Sequence, residues 1–364
     1  MGTRWPQTLV EPLNREPAAV EVPETLLSMK RPPTGWFRAC VVGAVLALAV
    51  PAPALRAAPS SASCAIEGVE RIVAVGDVHG AFDQLVAILR AATLVDERQH
   101  WTGGRAHLVQ LGDVVDRGPD SRAAIDLIRR LQTEAARAGG AVHPLLGNHE
   151  VMRLLGDLRF TTPGEYRAFS TSRSEELRER YVRSAEPDGR QRLLAETPLG
   201  LVEMRVAFGR DGEYGKWLRT LDTIVRIDGI VFMHGGLSPA IADRSCDDIN
   251  ATVRGELTAD LDKTRGAPLA SLAAREDGPL WYRGLMQISE DDVTDILAKQ
   301  QARAIVVGHT VAQSGRITTR FGGKVIAIDT GMQPAYVPAG RASALEIRRE
   351  TLTAIYADSR DVLR

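Results

Sequence analysis

Five times along this chain an apolar run stops where Asp, His or Asn stands beside a glycine. The stretches are Gly76-Asp77-Val78-His79-Gly80, Gly112-Asp113-Val114-Val115-Asp116-Arg117-Gly118, Gly147-Asn148-His149-Glu150, His234-Gly235-Gly236 and Gly308-His309-Thr310. The runs before them are Arg71 to Val75, His107 to Leu111, Ala141 to Leu146, Thr223 to Met233 and Arg303 to Val307. Each reads as a strand. Helical spacing follows the first two: Phe82 to Leu94 sets Leu85, Ile88 and Leu89 on one face, and Ser121 to Ala138 does the same with Ile125, Ile128 and Leu131. Successive strand–glycine–loop–helix units predict an α/β layered core. In such folds, sites assemble at the carboxyl ends of strands. Five loops of this kind on neighbouring strands would converge on one point.

The rest of the chain is arranged around that core. Residues 151–220 are rich in Arg and Glu and helical in propensity, which predicts an insertion packed beside the core. A second, mainly helical excursion covers 246–300. From Arg316 to Tyr356, three β-rich stretches are separated by Gly322-Gly323 and by Pro334 to Gly340, as expected for antiparallel strands completing a second sheet. The folded domain is expected over residues 65–358.

The start of the chain points outside the cytoplasm. Residues 1–28 are rich in Pro and Glu and read as a disordered extension. Met29 opens a different pattern: Lys30, Arg31 and Arg38, then the 12-residue apolar run Ala39 to Val50, then small residues at Ala52, Ala54, Ala57 and Ala58. This order predicts a signal peptide over 29–58, cleaved after Ala54 or Ala57, and a periplasmic protein. Pro51, Pro53 and Arg56 cut the run short of the roughly 20 residues that span a bilayer. An uncleaved anchor is the main rival, and either reading predicts membrane contact through this segment. A lipid-anchored Cys64 is weaker, because Ser61 sits where a larger apolar residue is expected. With 3 cysteines the chain carries neither a disulfide scaffold nor a thiolate zinc site. Cys64 and Cys246 either pair or stay as two thiols. A net charge of −1, with no basic block interleaved with aromatics, argues against a nucleic-acid partner.

The residue types in the five motifs suit a pair of metals. Asp77 and His79, two apart on extended backbone, point to one side. Asp113, Asn148, His234 and His309 add oxygen and nitrogen donors. Mixed carboxylate, amide and imidazole donors without thiolate suit Mn, Fe or Zn. Singly, each motif is more often a solvated turn or a plain loop. Together they carry weight, because 4 of the 7 histidines fall within them. His100, His107 and His143 are left to ordinary roles.

In this order, the motifs resemble those of the calcineurin-like metallophosphoesterases. Asn148-His149-Glu150 and the stretch Met233 to Pro239 are similar to the phosphoprotein phosphatase branch. Gly278 to Gly284, with Gly308-His309-Thr310 and the export pattern, resembles the bacterial Shewanella-like phosphatases. The likeness covers about residues 70–335. It implies a β-sandwich of two mixed sheets flanked by helices, and two divalent ions: Asp77 and His79 on the first, Asp113 bridging, and Asn148, His234 and His309 completing the second. Many relatives in the wider superfamily have a further histidine where this chain has Val311. The protein phosphatase branch lacks it too.

The resemblance further implies a metal-activated hydroxide attacking the phosphorus of a phosphorylated protein. Arg117 and Arg283 are candidates to clamp the phosphate, since a guanidinium matches it with paired donors. With Asn148 as ligand, His149 is left to protonate the leaving oxygen, and Asp116 to orient its ring. Two rivals stand beside this reading: a dinucleotide polyphosphate hydrolase on the same fold, and a non-catalytic phosphate-binding module. The second needs a broken ligand position, and none is found.

Overall fold

A computed structural model describes residues 64–183 and 185–363. The expected extension at 1–28 and export segment at 29–58 lie outside the described residues. Two six-stranded mixed sheets stack face to face. The first runs β1 (Ala65–Ile66), β5 (Ile224–Ile227), β6 (Ile230–Met233), β7 (Ala304–Val307), β9 (Val325–Ala327), β8 (Thr318–Arg320). The second runs β12 (Arg360–Leu363), β11 (Thr351–Tyr356), β10 (Ser343–Arg348), β2 (Ile72–Val75), β3 (His107–Gln110), β4 (Ala141–Pro144). Strands β2, β3 and β4 are parallel, as are β6, β7 and β9, so the carboxyl ends of each trio open on one side.

Strand alternation explains why β2 is apolar throughout. Ile72 and Ala74 face the other sheet, in a core they share with its Phe232, Val306 and Ile326 and with their own sheet's Val109 and Leu345. Val73 and Val75 face outward into a second core. Helices α1 (Phe82–Ala91) and α2 (Ser121–Arg137) supply that core with Leu85, Ile88, Leu89, Ile125, Ile128 and Leu131. A strand covered on both faces has no polar side to show.

Between β4 and β5 lie α3 (Asn148–Leu155), α4 (Pro163–Phe169), α5 (Ser174–Arg183), α6 (Arg190–Glu196), α7 (Leu201–Phe208) and α8 (Glu213–Leu218). Between β6 and β7 come α9 (Cys246–Thr258), α10 (Leu261–Gly266) and α11 (Glu290–Lys299). A disulfide joins Cys64 to Cys246 at a Cα separation of 6.0 Å, fastening the start of β1 to the start of α9.

Three expectations need correction. Thr223 to Met233 is not one strand but the hairpin β5–β6. Asp228 and Gly229 make its two-residue turn with φ of 48° and 72°, the left-handed pair that such turns require. The closing strands are split between the sheets: β8 and β9 extend the first, β9 being parallel to β7, and only β10 to β12 complete the second. The last of these, β12, carries the sheet to Leu363, past the expected boundary at 358. No helix among the described residues is long and apolar enough to cross a membrane.

Candidate metal centre and active site

The six expected ligands meet at the open ends of the two parallel trios. Asp77 and His79 follow β2, Asp113 follows β3, Asn148 opens α3 just after β4, His234 follows β6 and His309 follows β7. All six are buried, His79 being the most exposed at 5%.

Backbone carbonyls fix the tautomers of three imidazoles. A carbonyl only accepts, so the ring nitrogen facing it must carry the proton. His79 donates from Nδ1 to Val115 O (3.0 Å), His234 from Nδ1 to Leu111 O (2.8 Å) and His309 from Nε2 to Trp281 O (3.1 Å). Once neutral, as a metal ligand must be, each ring turns a bare lone pair towards the cluster. His234 Nε2 lies 3.1 Å from His309 Nδ1 and 2.9 Å from Asn148 Oδ1. Lone pairs this close and buried from solvent repel unless a cation stands among them.

Asp113 reaches both halves of the centre. Its Oδ1 is 3.4 Å from His234 Nε2, while its Oδ2 is 3.6 Å from His79 Nε2 and 3.9 Å from His149 Nε2. The donor atoms form two compact groups that share this carboxylate: His79, Asp113 and His149, and Asp113, His234 and His309. The protonation states fit. Burial holds His79 down at about 3 and His309 well below the usual imidazole range, so both stay neutral as ligands must be. Burial, then the Asp329 and Asp113 charges, push Asp77 well above the carboxylate range. A site that crowds acids and lone pairs out of water is built for positive charge.

Local backbone serves the same end. His79, Asp113, Asp116, Arg117 and His309 all have positive φ, between 49° and 69°. Here the functional residues themselves carry much of the strain. Some glycines serve close approach instead: a Cβ on Gly308 would press on Asp77 Oδ1.

Beside the metal donors, His149 is linked through Nδ1 to Asp116 Oδ2 at 2.8 Å. Burial lowers its pKa, but the Asp113 and Asp116 carboxylates outweigh that and raise it. Arg117 Nη2 lies 3.3 Å from His149 Nε2, and its guanidinium sits 3.7 Å from the Tyr336 ring centre and 4.9 Å from that of Phe160. Arg283 lines the same cleft, so the structure brings it to the site despite its place in the second helical excursion. One of its nitrogens donates to His309 O, which ties it to the ligand loop as well. His100, His107 and His143 lie elsewhere: His100 meets Glu134, and the other two meet each other 3.1 Å apart.

Four charged residues at the site have no role assigned from sequence, although Glu150 stands in one of the motifs. Glu150 takes N–H bonds from Asp113 (2.7 Å), Val114 (2.8 Å) and Gly147 (2.8 Å), welding two ligand loops together. Asp329 lies in the cleft, just beyond β9, where burial raises its pKa. Its signal was available, since Val325 to Ile328 is one more apolar run ending at an acid near a glycine. Arg153 and Glu165 stand behind Asp116. Their approach to the site has no sequence signature.

The sequence pattern of the Calcineurin-like phosphoesterase family matches residues 70–313. Shewanella-like protein phosphatase 2 of Arabidopsis thaliana is 30% identical, over 78% of this chain and 77% of its own length. Shewanella-like protein phosphatase 1 of Plasmodium berghei is 30% identical, over 72% and 67%. The crystal structure of the cold-active protein-tyrosine phosphatase of a psychrophilic Shewanella species superposes with a TM-score of 0.66, at 30% identity, over 82% of both chains. A symmetrical bis(5'-nucleosyl)-tetraphosphatase of Cronobacter sakazakii matches only 77 residues, or 21% of this chain.

Proposed function

Since the chain belongs to the calcineurin-like phosphoesterase family, in its phosphoprotein phosphatase branch, we propose that the cleft removes phosphate from protein side chains with the help of two divalent ions. The observation that carries this reading is Asp113, which turns one oxygen to each of two imidazole groups. Asp77 and His79 would hold one ion, Asn148, His234 and His309 the other, and Asp113 both; Mn, Fe or Zn suits these donors. Ions held there would supply an activated water near neutral pH and offset charge on the phosphoryl oxygens.

The chain's own groups do the rest. Arg117 and Arg283 present guanidinium donors to the phosphate. His149 Nε2 faces the cleft with its Nδ1 engaged by Asp116; with the ring charged and Arg117 turned from that nitrogen to the phosphate, it delivers a proton to the departing oxygen. A ligand role for His149 competes with this. Its grouping with His79 and Asp113 supports that alternative, and its bond to Asp116 supports the acid.

The rim of the cleft supports an aryl leaving group. Phe160 and Tyr336 are large apolar side chains exposed at 38% and 43%, and they flank Arg117. A phosphotyrosine ring could lie between them while its phosphate meets the arginine. The Shewanella protein-tyrosine phosphatase, similar in structure, supports the same preference. Matched phosphopeptides carrying tyrosine, serine or threonine, run beside a dinucleoside tetraphosphate, test the reading. The phosphotyrosine peptide should turn over fastest. Faster cleavage of the tetraphosphate would overturn it.

Export to the periplasm is part of the proposal. The Cys64–Cys246 disulfide supports it, since such bonds persist in oxidising compartments, and the pattern over 29–58 agrees. The mature chain should begin near Leu55 or Ala58 on N-terminal sequencing. Intact cytoplasmic protein beginning at residue 1 would contradict this.

A further inference from the structure

We infer that Arg153 and Glu165 are positioning residues for the acid His149, and that the helical insertion is thereby part of the catalytic apparatus. This rests on the reading of His149 as the proton donor. The chain of contacts begins at the ring. His149 Nδ1 binds Asp116 Oδ2 at 2.8 Å. The other carboxylate oxygen, Oδ1, accepts from Arg153 Nη2 and from Thr161 Oγ1 at 3.1 Å. Arg153 Nη2 also reaches Glu165 Oε1 at 2.9 Å, and that same oxygen accepts the backbone N–H of Asp116 at 3.2 Å. Both oxygens of Asp116 are thus committed, and its backbone is held too. A carboxylate pinned on both sides cannot swing, and the imidazole it grips keeps one orientation.

The setting makes this hold rigid. The side chains of Asp116, Arg153 and Glu165 are each at most 1% exposed, so water offers no substitute partners. The far side of Arg153 rests on the insertion itself: Nη1 lies 3.2 Å from Met204 Sδ, and the guanidinium sits 5.0 Å from the Phe208 ring centre. Both residues come from α7. Two more threads reach the same turn. Arg117 N donates to Phe160 O at 2.9 Å, and Thr162 Oγ1 donates to Gly118 O at 3.1 Å. The strained Asp116–Arg117 pair is therefore held in place by residues 153–165.

Glu165 has a local duty that can be separated from this one. It stands at the third position of α4 and accepts the N–H of the capping residue Thr162 at 3.0 Å through Oε2. Glutamine serves such a capping box as well as glutamate does. Glu165→Gln therefore keeps the cap while removing the charge that holds Arg153. Changing one member of a buried ion group leaves its partner unpaired, which can unfold a protein. The pair Arg153→Met with Glu165→Gln removes both charges and guards against that outcome.

The test compares turnover of 4-nitrophenyl phosphate, whose leaving oxygen needs little protonation, with that of an alkyl phosphate, whose oxygen needs much. His149→Asn, Glu165→Gln and the double variant are measured on the full chain, with metal content determined for each. We expect His149→Asn to lose about 10²–10⁴-fold on the alkyl ester and far less on the nitrophenyl ester. The Glu165→Gln and double variants should show the same selective loss at roughly 10-fold to 100-fold, the range for removing an orienting partner. Metal content and KM should stay at wild-type levels. Equal losses on both esters, or none, in the two insertion variants would overturn the positioning role while His149 keeps its own. If His149→Asn itself loses equally on both esters, the acid reading falls, and this inference with it.

Discussion

The strand-end loops and the helical insertion reach the same cleft by different means. The loops carry the ligands on backbone that the two sheets fix directly, with Asp77, Asp113, His234 and His309 each one to three residues beyond a buried strand. The insertion, residues 151–220, has no strand among its described residues, and its α5 and α6 are exposed along much of their length. Its contribution is one segment, 153–165, from the end of α3 to the third residue of α4, that backs Asp116 and places Phe160 on the rim. The first region supplies chemical donors. The second holds Asp116, and through it His149, and shapes the entrance. Rigid sheets with variable segments draped over them are a common way to separate reaction from selectivity.

Breaking the first region should have the larger effect. Asp113→Asn keeps the side chain's shape but weakens the one group shared by both halves of the centre. Turnover should fall by several orders of magnitude, with metal content reduced and the fold intact by circular dichroism. A variant with full turnover and unchanged metal content would show that Asp113 bridges nothing.

Arg283 lies between the two extremes, because it sits in the second helical excursion yet binds the His309 loop. Lysine keeps the charge but loses the planar fork. Arg283→Lys should lower kcat/KM by roughly 10-fold to 100-fold, in line with the worth of a charge-assisted hydrogen bond, about 1.5–3 kcal/mol. Inhibition by inorganic phosphate should weaken in parallel. A lysine variant with native phosphate inhibition would leave the clamp to Arg117 alone.

The smallest effect is expected at the rim. Phe160→Ala removes one wall of the aromatic entrance. The KM for a phosphotyrosine peptide should rise roughly 2-fold to 10-fold, the worth of one aromatic contact. A phosphoserine peptide should be hardly affected. An equal rise for both would mean that the rim closes the cleft without choosing the substrate.

Legibility in the sequence followed the same division. The loops could be read because metal donors, close-approach glycines and apolar strands must fall within a few residues of one another. Asp77, His79, Asp113, Asn148, His234 and His309 do so, and the structure gathers them in one place. The hairpin at Asp228-Gly229 was legible too, but the long apolar run around it read as a single strand. What could not be read was contact across distance in sequence. Thr162-Pro163-Gly164-Glu165 announces the start of a helix. Nothing in it says that Glu165 will meet Asp116, 49 residues earlier. Burial of an ion group depends on packing against α7, and that is a property of the fold.

Metal stoichiometry measured against turnover tests the central claim most directly. The purified protein would be stripped with a chelator, then titrated with Mn, Fe or Zn while hydrolysis of a phosphotyrosine peptide is followed. The account predicts no turnover in the stripped protein. Activity should return as about two ions bind per chain, with neither ion sufficient alone. Full turnover of the stripped protein, or saturation at a single ion, would contradict a centre built on a shared Asp113.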